Sequence, residues 1–594
     1  MDRLKHALIL LIVLLFSQNS IAQNNNTSIE LIEIDTKINE SIYITPITNA
    51  YLSGETLRYK LFCINKTNNT ASIYSKIAYV ELIDHDKKSI FTHKLFLENG
   101  TANGDYFIPI NLETGNYKLI GYTNWMLNKS YPDYFNIDIY IVNPYQSDNQ
   151  NAIFETQDKN IEEKNHTPQD LAASSINSNA NIKIELDKKV YSKREQINIK
   201  IKTNSEDFLK GNYSLSVRKM DGLLLNNKLS FNEYQNSNID RVSNNTINRL
   251  NFVLPELRGE IIVGKIVAKK TENSLENKNL ALSIPGQNFE FKISKTDKNG
   301  NFLFILDKPS SNSNVIIQLI DSDKENYTIE IDKPKTPNYS KLTFNHNIAF
   351  NSNFNKNVKE RAVSSQIENA YYNLTKDSVA PQKIATKFYE PIAKEYILDD
   401  YTRFATLKET TVEIVKEMYY TQTKNNYELR LNNNALNNAV NSKIEMPTLV
   451  LVDGLIIEDM NELFDYKMSN IHKISISNGG YYYGTKTFES LISFTTKNFD
   501  YASKLSGSFI IKPEILRPLS KKDYYQPDYT NKNKNSRIPD YRHQLLWLPE
   551  LLLKEKENLI TFYTADVTGI FEITLEGFTN EGKPVSLIES FQVN

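Results

Sequence analysis

The sequence predicts a mainly β protein, built from tandem immunoglobulin-like β-sandwiches with one small α+β domain. Short segments such as residues 196–201 alternate apolar and polar side chains, and Gly- and Asn-containing turns separate them. The chain has 35 Tyr and 28 Phe but only 2 Trp and 7 Met, which favours strands over helical bundles. With 594 residues and a prior of roughly 150 residues per domain, we expect about four domains.

The N-terminus carries the pattern of an export signal. Arg3 and Lys5 precede an apolar run from residue 7 to 16, and small residues end at Ala22. A buried N-terminal helix would also be apolar, but the basic start and the polar residues after Gln23 favour cleavage. We therefore predict a signal peptide at residues 1–22 and an exported chain, periplasmic or associated with the outer membrane or the cell surface.

The single cysteine, Cys63, lies well inside the exported chain. It excludes an intramolecular disulfide framework and a thiolate metal cluster, and no thiol stands at the cleavage site to carry a lipid. No later segment reaches the ~18 apolar residues of a spanning helix, so we expect membrane attachment only through protein contacts. A formal net charge of -2 gives no indication of nucleic acid as a partner.

Two sandwiches are predicted at the start of the exported chain, at residues 23–145 and 181–254. Between them, residues 146–180 lose periodicity and fill with polar side chains, which predicts a flexible linker. A phrase from Tyr51 to Glu55 recurs as Tyr191 to Glu195, and a Gly-Asn-Tyr strand follows each copy at residues 115–117 and 211–213. The two regions therefore look like a divergent internal repeat.

The repeated phrase resembles macroglobulin-like domains, in which a Tyr-x-x-Gly-Glu turn opens a seven-stranded sandwich. Arg194 stands where glycine is usual, so the turn of the second copy departs from the pattern. Macroglobulins that trap proteases use a Cys-Gly-Glu-Gln thioester, whereas Cys63 is followed by Ile64. The resemblance therefore implies the sandwich fold without the trap mechanism.

Residues 255–335 predict a smaller sandwich. The segment from Thr296 to Phe302 resembles the Thr-Asp-x-x-Gly-x-Phe signature of carboxypeptidase regulatory-like domains, which carry no catalytic residues in that family. Asp297 to Gly300 partly matches a calcium loop, but the later glutamate is missing, so a β-turn is the better interpretation. Residues 336–398 are predicted as a connector, with an amphipathic helix at 356–376.

Residues 399–503 contain several blocks in a fixed order. After a helical segment at 406–418, one strand ends in Asp-Gly, the next leads to Tyr-Gly, and a closing strand ends in Thr-Thr-Lys. The blocks resemble the plug domain of TonB-dependent outer-membrane receptors, an α+β fold. The resemblance implies that the motif residues shape the fold and perform no chemistry; they are Asp453, Gly454, Tyr483, Gly484, Thr496 and Lys497.

The chain after the plug-like segment differs from a receptor. Residues 501–594 are too few for the many strands of a transporter barrel, so we expect that this chain is not a transporter by itself. Alternating segments around residues 505–511, 559–562 and 570–575 predict a C-terminal sandwich at 504–594.

Sequence motifs for catalysis were not found. The seven histidines lack the His-x-x-x-His spacing of a zinc site, and neither a phosphate loop nor a Gly-x-Ser-x-Gly elbow occurs. We therefore predict no catalytic residues, no cofactor and no metal. A hydrolase hidden in residues 335–400 is the least favoured of our hypotheses.

The leading functional hypothesis is a non-enzymatic accessory or scaffold protein of a Gram-negative envelope. Its sandwiches and plug-like domain would dock on an outer-membrane protein or envelope complex, including a TonB-dependent-type barrel. The alternative is a surface module that binds glycan or peptide. It rests on aromatic runs suited to such ligands, and the candidate contact residues are Tyr481, Tyr482, Tyr524 and Tyr525.

Overall fold

The computed structural model describes residues 38–129, 134–146, 181–221, 230–231, 233–234, 252–344, 354–381, 384–390, 392–424, 426–432, 446–504, 506–530 and 537–594. The predicted signal peptide and linker lie outside these residues. The chain divides into two compact units. Unit 1 is Met1–Leu257, Thr336–Val379 and Lys521–Asn594, and unit 2 is Arg258–Lys335 and Ala380–Ser520.

The first sandwich of unit 1 contains nine strands. They are β1 (Glu40–Pro46), β2 (Ala50–Leu52), β3 (Thr56–Asn65), β4 (Thr70–Ala71), β5 (Ile77–Ile83), β6 (Ser89–Phe96), β7 (Thr101–Phe107), β8 (Gly115–Tyr122) and β9 (Phe135–Val142). One sheet has the order β1-β3-β7, with β4 beside β3, and the other has the order β2-β9-β8-β5-β6. Side chains from both sheets, including Ile42, Leu61 and Leu119, form the core between them.

The second sandwich of unit 1 is assembled from two distant parts of the chain. The first part supplies β10 (Ile182–Leu186), β11 (Val190–Tyr191), β12 (Gln196–Thr203) and β13 (Gly211–Lys219).

Unit 2 begins with a small sandwich. Its strands are β14 (Glu260–Ala268), β15 (Asn279–Ile284), β16 (Glu290–Lys295), β17 (Asn301–Leu306), β18 (Ile316–Leu319) and β19 (Tyr327–Ile331). The sheets have the orders β17-β14-β19 and β16-β15-β18. Asp297 accepts hydrogen bonds from the backbone N–H groups of Asn299 and Asn301, both at 2.8 Å, so the segment predicted as a β-turn is a turn.

Two helices and a short strand then return to unit 1. They are α1 (Phe354–Ala370), α2 (Tyr372–Thr375) and β20 (Ser378–Val379). The predicted helix at 356–376 is thus broken at residue 371. Its buried face holds Phe354, Arg361 and Ala362, with Val358 packed beside them, whereas Val363 is 54% exposed.

The rest of unit 2 is an α+β domain. It consists of β21 (Lys394–Ile397), α3 (Leu407–Glu413), β22 (Met418–Gln422), β23 (Tyr427–Leu431), β24 (Leu449–Val452), β25 (Leu455–Ile456), α4 (Met460–Phe464), β26 (Ile471–Tyr483) and β27 (Lys486–Thr496). The main sheet has the order β21-β26-β27-β24-β25. Strand β24, helix α4 and strands β26 and β27 follow one another in the predicted order. The helical segment predicted at 406–418 ends earlier, at Glu413.

The C-terminal part of the chain supplies β28 (Ile510–Ile511), β29 (Lys522–Asp523), β30 (Gln544–Leu551), β31 (Glu557–Tyr563), β32 (Gly569–Thr579) and β33 (Pro584–Val593). Strand β28 joins β18 of the small sandwich, and β29 pairs with β20. The others complete the second sandwich, whose sheets have the orders β10-β12-β31 and β11-β33-β32-β13-β30.

The predicted division into separate sandwiches at 181–254 and 504–594 is therefore wrong. Neither segment closes a sandwich alone: β12 has only β10 as a neighbour until β31 pairs with it, and β13 lies between β30 and β32. The core confirms the single domain, since Ile199, Leu215, Phe571 and Leu587 belong to one cluster.

The two large sandwiches of unit 1 share one topology. Both strand orders of the first sandwich recur in the second when each strand is exchanged for its counterpart in chain order. The strands β1, β2, β3, β5, β6, β7, β8 and β9 correspond to β10, β11, β12, β13, β30, β31, β32 and β33. The parallel pair β2–β9 corresponds to the parallel pair β11–β33. The internal repeat is thus present. However, its Gly-Asn-Tyr portion is a false match, because Gly115 opens β8 whereas Gly211 opens β13, the counterpart of β5.

The turn that opens each copy is also shared. Gly54 has φ +93° and Arg194 keeps the same left-handed region with φ +54°. The Arg194 side chain forms two hydrogen bonds with Asp566, Nε to Oδ1 and Nη2 to Oδ2, each at 2.7 Å. This pairing explains how the second copy keeps its turn without glycine.

Candidate functional site: a groove in unit 1

Two neighbouring cavities that share part of their lining form a groove beside helix α1 in unit 1. The larger cavity has a volume of about 980 Å³ and the smaller about 210 Å³. Both are lined by Arg58, Glu368, Thr375, Asp377 and Gln544. Arg58 and Asp377 form an ion pair of 3.3 Å where the cavities meet. Strands β3 and β30, helix α1 and the segment after α2 thus each place side chains in one continuous groove.

Arg361 fixes helix α1 to the first sandwich. Its Nε and Nη2 donate to Glu55 Oε1 and Oε2 at 2.6 and 2.7 Å, and Nη2 also donates to the Ala50 carbonyl at 2.8 Å. Its Nη1 donates to Asp221 Oδ2 at 3.1 Å. Although burial alone would lower the pKa of Arg361, the charges of Asp221 and Glu55 raise it above the usual value. The glutamate of the repeated phrase is therefore the anchor of the helix.

A serine, a histidine and an aspartate meet at the wall of the larger cavity. Ser364 Oγ lies 3.2 Å from His543 Nε2, and His543 Nδ1 lies 4.0 Å from Asp221 Oδ2. The order matches the triad of serine hydrolases, in which the histidine removes the serine proton and the aspartate stabilises the resulting imidazolium.

The electrostatics of this trio oppose that chemistry. Burial together with the charges of Arg361 and Arg218 lowers the pKa of His543 to about 3, so the imidazolium form is strongly disfavoured. Asp221 is bound by Arg361, and the Ser364 hydroxyl also donates to the Glu360 carbonyl at 3.0 Å. The His543 imidazole is therefore a weak base in this arrangement.

Glu368 projects into the groove from α1. The Glu368 side chain is exposed at the groove, and partial desolvation together with the negative charge of Glu55 raises its pKa above the usual value.

The predicted contact tyrosines separate into two places. Tyr524 and Tyr525 line the smaller cavity of unit 1, where the Arg58 guanidinium lies 5.4 Å from the centre of the Tyr524 ring. Tyr481 and Tyr482 belong to β26 in unit 2. Tyr482 is 81% exposed, whereas the Tyr481 ring stacks on Tyr483. The four residues thus belong to two different units, two to each.

The predicted plug-like motif lies in unit 2 and has structural contacts. Asp453 accepts from the backbone N–H and the hydroxyl of Thr496 at 2.8 and 2.6 Å, which ties β24 to the end of β27. Gly454 approaches Phe289 of the small sandwich so closely that a Cβ would lie 2.2 Å from the ring. A Cβ on Gly484 would lie 2.7 Å from the Ile293 carbonyl oxygen.

The remaining two motif residues, Tyr483 and Lys497, differ in how their side chains are packed. Tyr483 stacks on Phe291 with ring centres 5.3 Å apart, and its hydroxyl donates to the Phe291 carbonyl. The Lys497 side chain is exposed, and its backbone N–H donates to Asn470 at 2.9 Å. These contacts give the motif a role in joining the two domains of unit 2.

Sequence reasoning missed the groove residues on α1 and β30. Arg361 and Ser364 lie on the buried face of α1, where charged and polar side chains give no apolar signal. His543 precedes β30 in a segment assigned to a different domain, and it carries no motif. A signal in the sequence was Glu55, because a glutamate in the repeated turn phrase needs a partner once it is largely buried.

The described residues contain no group of three His, Cys, Asp or Glu side chains placed to hold a metal ion. Among the described helices, none is long and apolar enough to cross a membrane.

Comparisons with known proteins gave structural neighbours only. No protein-family model and no curated protein matches the chain. Salmonella alpha-2-macroglobulin reacted with methylamine aligns with 93% of this chain and 39% of its own, at 8% identity and a TM-score of 0.22. Escherichia coli alpha-2-macroglobulin activated by porcine elastase aligns with 93% and 44%, at 8% identity and a TM-score of 0.23. The chain thus spans under half the length of either structure. Its mainly β fold with tandem sandwiches follows from the strand pairing within the chain itself.

Proposed function

We propose that this chain is a non-enzymatic docking protein of a Gram-negative cell envelope that binds an outer-membrane protein. The groove of unit 1 carries the proposal, because a large cavity whose charged walls are mostly paired suits recognition of a partner. The export signal supports the location, and the plug-like resemblance supports an outer-membrane partner.

Affinity isolation after crosslinking in cells tests the docking function. A tagged chain should recover an outer-membrane protein from the membrane fraction, and replacing the exposed Ile110 at the groove by Asp should reduce that recovery. The matched control is Leu559→Asp, at an exposed position of β31 outside the groove lining. Recovery of the tagged chain alone, without any membrane protein, would contradict the proposal.

The absence of catalysis has its own test at Ser364. Because the electrostatics oppose an imidazolium at His543, a fluorophosphonate probe should label the purified chain no more than it labels Ser364→Ala. Labelling that disappears in Ser364→Ala would instead favour a hydrolase.

A second candidate function is binding of surface glycans, favoured by the 81% exposure of Tyr482. An exposed ring can stack on a sugar face. A glycan array should then give signals that Tyr482→Ala removes. An array without signal would contradict this candidate and leave the docking function in place.

A further inference from the structure

We propose that the larger cavity of the groove binds a carboxylate on an extended peptide segment of the docking partner, and that Arg218 is the side chain that pairs with it. This inference rests on the proposed docking function and specifies the chemistry that the groove recognises.

The charges around the cavity leave one cation without an acceptor. Arg361 is bound by Glu55 and Asp221, and Lys522 Nζ lies 2.7 Å from Asp105 Oδ1. With the Arg58 pair described above, each of these cations has a carboxylate. In the described part of the chain, Arg218 has no ion pair, and its Nη2 is buried without a hydrogen-bond partner.

An unpaired guanidinium is costly to keep away from water. Burial and the neighbouring positive charge of Arg361 lower the pKa of Arg218 from its usual value, although the charges of Asp221 and Glu55 oppose this shift. A carboxylate in the cavity would offset this cost, because arginine and carboxylate groups match in planar, two-point hydrogen bonding.

Other groove atoms fit a peptide backbone. Arg58 Nε is a buried donor without a partner among the described residues, and Gln544 Oε1 is a buried acceptor without one. A peptide backbone offers both C=O acceptors and N–H donors at short intervals. The groove thus presents both kinds of complementary group along its length.

The rim of the larger cavity favours peptide over an acidic sugar. Phe107, Ile110 and Tyr372 are 49%, 63% and 59% exposed there. The aliphatic Ile110 offers nothing to sugar hydroxyl groups, whereas it can pack against an apolar side chain next to an acidic residue. The cavity volume of about 980 Å³ also lies within the usual range for ligand sites.

Fluorescence anisotropy with three pools of labelled synthetic octapeptides tests the inference, using the purified chain without residues 1–22. One pool has an internal Asp or Glu among Leu and Phe and an amidated C-terminus. A second has only Leu and Phe with a free C-terminal carboxylate. A third lacks any carboxylate. The first two pools distinguish a side-chain carboxylate from a chain terminus, and oligosaccharides of uronic acids form a separate arm.

We expect one carboxylate-containing pool to bind more tightly than the third. Arg218→Gln should weaken that binding by about tenfold to a hundredfold, and Ile110→Ser should weaken it without touching the charge. Lys200→Gln is the matched control, because it removes an exposed cation from the same sandwich outside the groove lining. Thermal melting of each variant checks that the fold is kept.

Several results would overturn the inference. They are equal binding of all three pools, unchanged binding by Arg218→Gln, or binding of the uronic acids alone. The docking function is judged separately: if Arg218→Gln still recovers the membrane partner from crosslinked cells, docking stands and the carboxylate site does not.

Discussion

Arg361 binds the carboxylates of Glu55 and Asp221, which lie far apart in the sequence, and its side chain is only 1% exposed. Replacing it by Met would remove the hydrogen-bonded cation of Glu55 and Asp221. Breaking a buried pair in this way costs about 3–5 kcal/mol. We therefore expect Arg361→Met to lower the stability of unit 1 by that amount.

Tryptophan fluorescence measures this change selectively, because the only two tryptophans, Trp125 and Trp547, both lie in unit 1. Urea unfolding followed at these residues should shift in Arg361→Met. In the control Lys189→Met, which removes the largely exposed partner of Glu589, the change should stay within about 1 kcal/mol. Similar shifts in both variants would contradict the assigned role.

His543 gives unit 1 a dependence on acid. Its pKa is about 3 in the folded chain and about 6.5 when unfolded, so below pH 6.5 only the unfolded chain gains the proton. Stability is then lost as the pH falls from 6.5 towards 3, by at most about 1.4 kcal/mol per pH unit. The same direction holds for His93, whose pKa burial lowers to about 4.

Urea unfolding of His543→Gln, followed by tryptophan fluorescence between pH 4 and 7, checks this expectation. The variant should lose less stability on acidification than the unmodified chain, and the slope that remains should include the part due to His93. A variant with an unchanged slope would show that His543 is protonated in the folded chain.

Little of the groove was predictable at the level of single residues. Tyr524 and Tyr525 were chosen for their aromatic character and do line the smaller cavity. Arg361 and His543 were not found, because their partners lie 306 and 179 residues away, at Glu55 and Ser364. A buried charge is defined by what surrounds it, and local patterns do not contain that information.

Among the elements, the turn between β24 and β25 is the most constrained by its neighbours. Gly454 has φ +88°, and a Cβ there would overlap the Phe289 ring. Gly479 on β26 has φ +107° with nothing within 4 Å of a built Cβ. Both glycines thus have a positive φ, but only Gly454 lies against a side chain that a Cβ would overlap.

We expect Gly454→Ala to destabilise unit 2 by at least about 3 kcal/mol, and Gly479→Ala by about 1 kcal/mol. Scanning calorimetry is the appropriate measurement, since unit 2 contains no tryptophan. Equal shifts would mean that the backbone conformation alone matters and that Phe289 moves aside without cost.

Strand positions were more predictable than their pairing. The alternation in residues 196–201 correctly indicated β12, whose odd-numbered isoleucines are buried. The partner of β12, however, is β31, and Gln196 pairs with Tyr563 across 367 residues. Alternation sets which face of a strand is buried, but it does not say which strand lies beside it.

At the scale of the whole molecule, the second sandwich depends on the last strands of the chain. A chain ending at residue 543 would lack β30 to β33, so β13 would lose both neighbours and β12 would lose β31. We expect the amides of β12 and β13 to exchange rapidly in this shortened chain, because edge strands with no partner keep little protection.

Hydrogen exchange with mass spectrometry compares the two chains. Strands β5 and β8 serve as the internal control, since they pair within the first sandwich and should stay protected. Full protection of β12 and β13 in the shortened chain would contradict the discontinuous sandwich.

The discontinuous sandwich also affects how the chain would carry a pulling force. The Lys219 N–H bonds the His543 carbonyl at 2.8 Å, and Ser378 and Val379 pair with Asp523 and Lys522. The segment between Lys219 and His543 therefore begins and ends at residues that are hydrogen-bonded to each other. The shorter segment between Val379 and Lys522 does the same. Tension applied between residues 181 and 593 would load the strands of the second sandwich first, and residues 380–520 would stay slack until the short β20–β29 ribbon had separated. Residues 380–520 would in this way stay folded while the second sandwich carries the load.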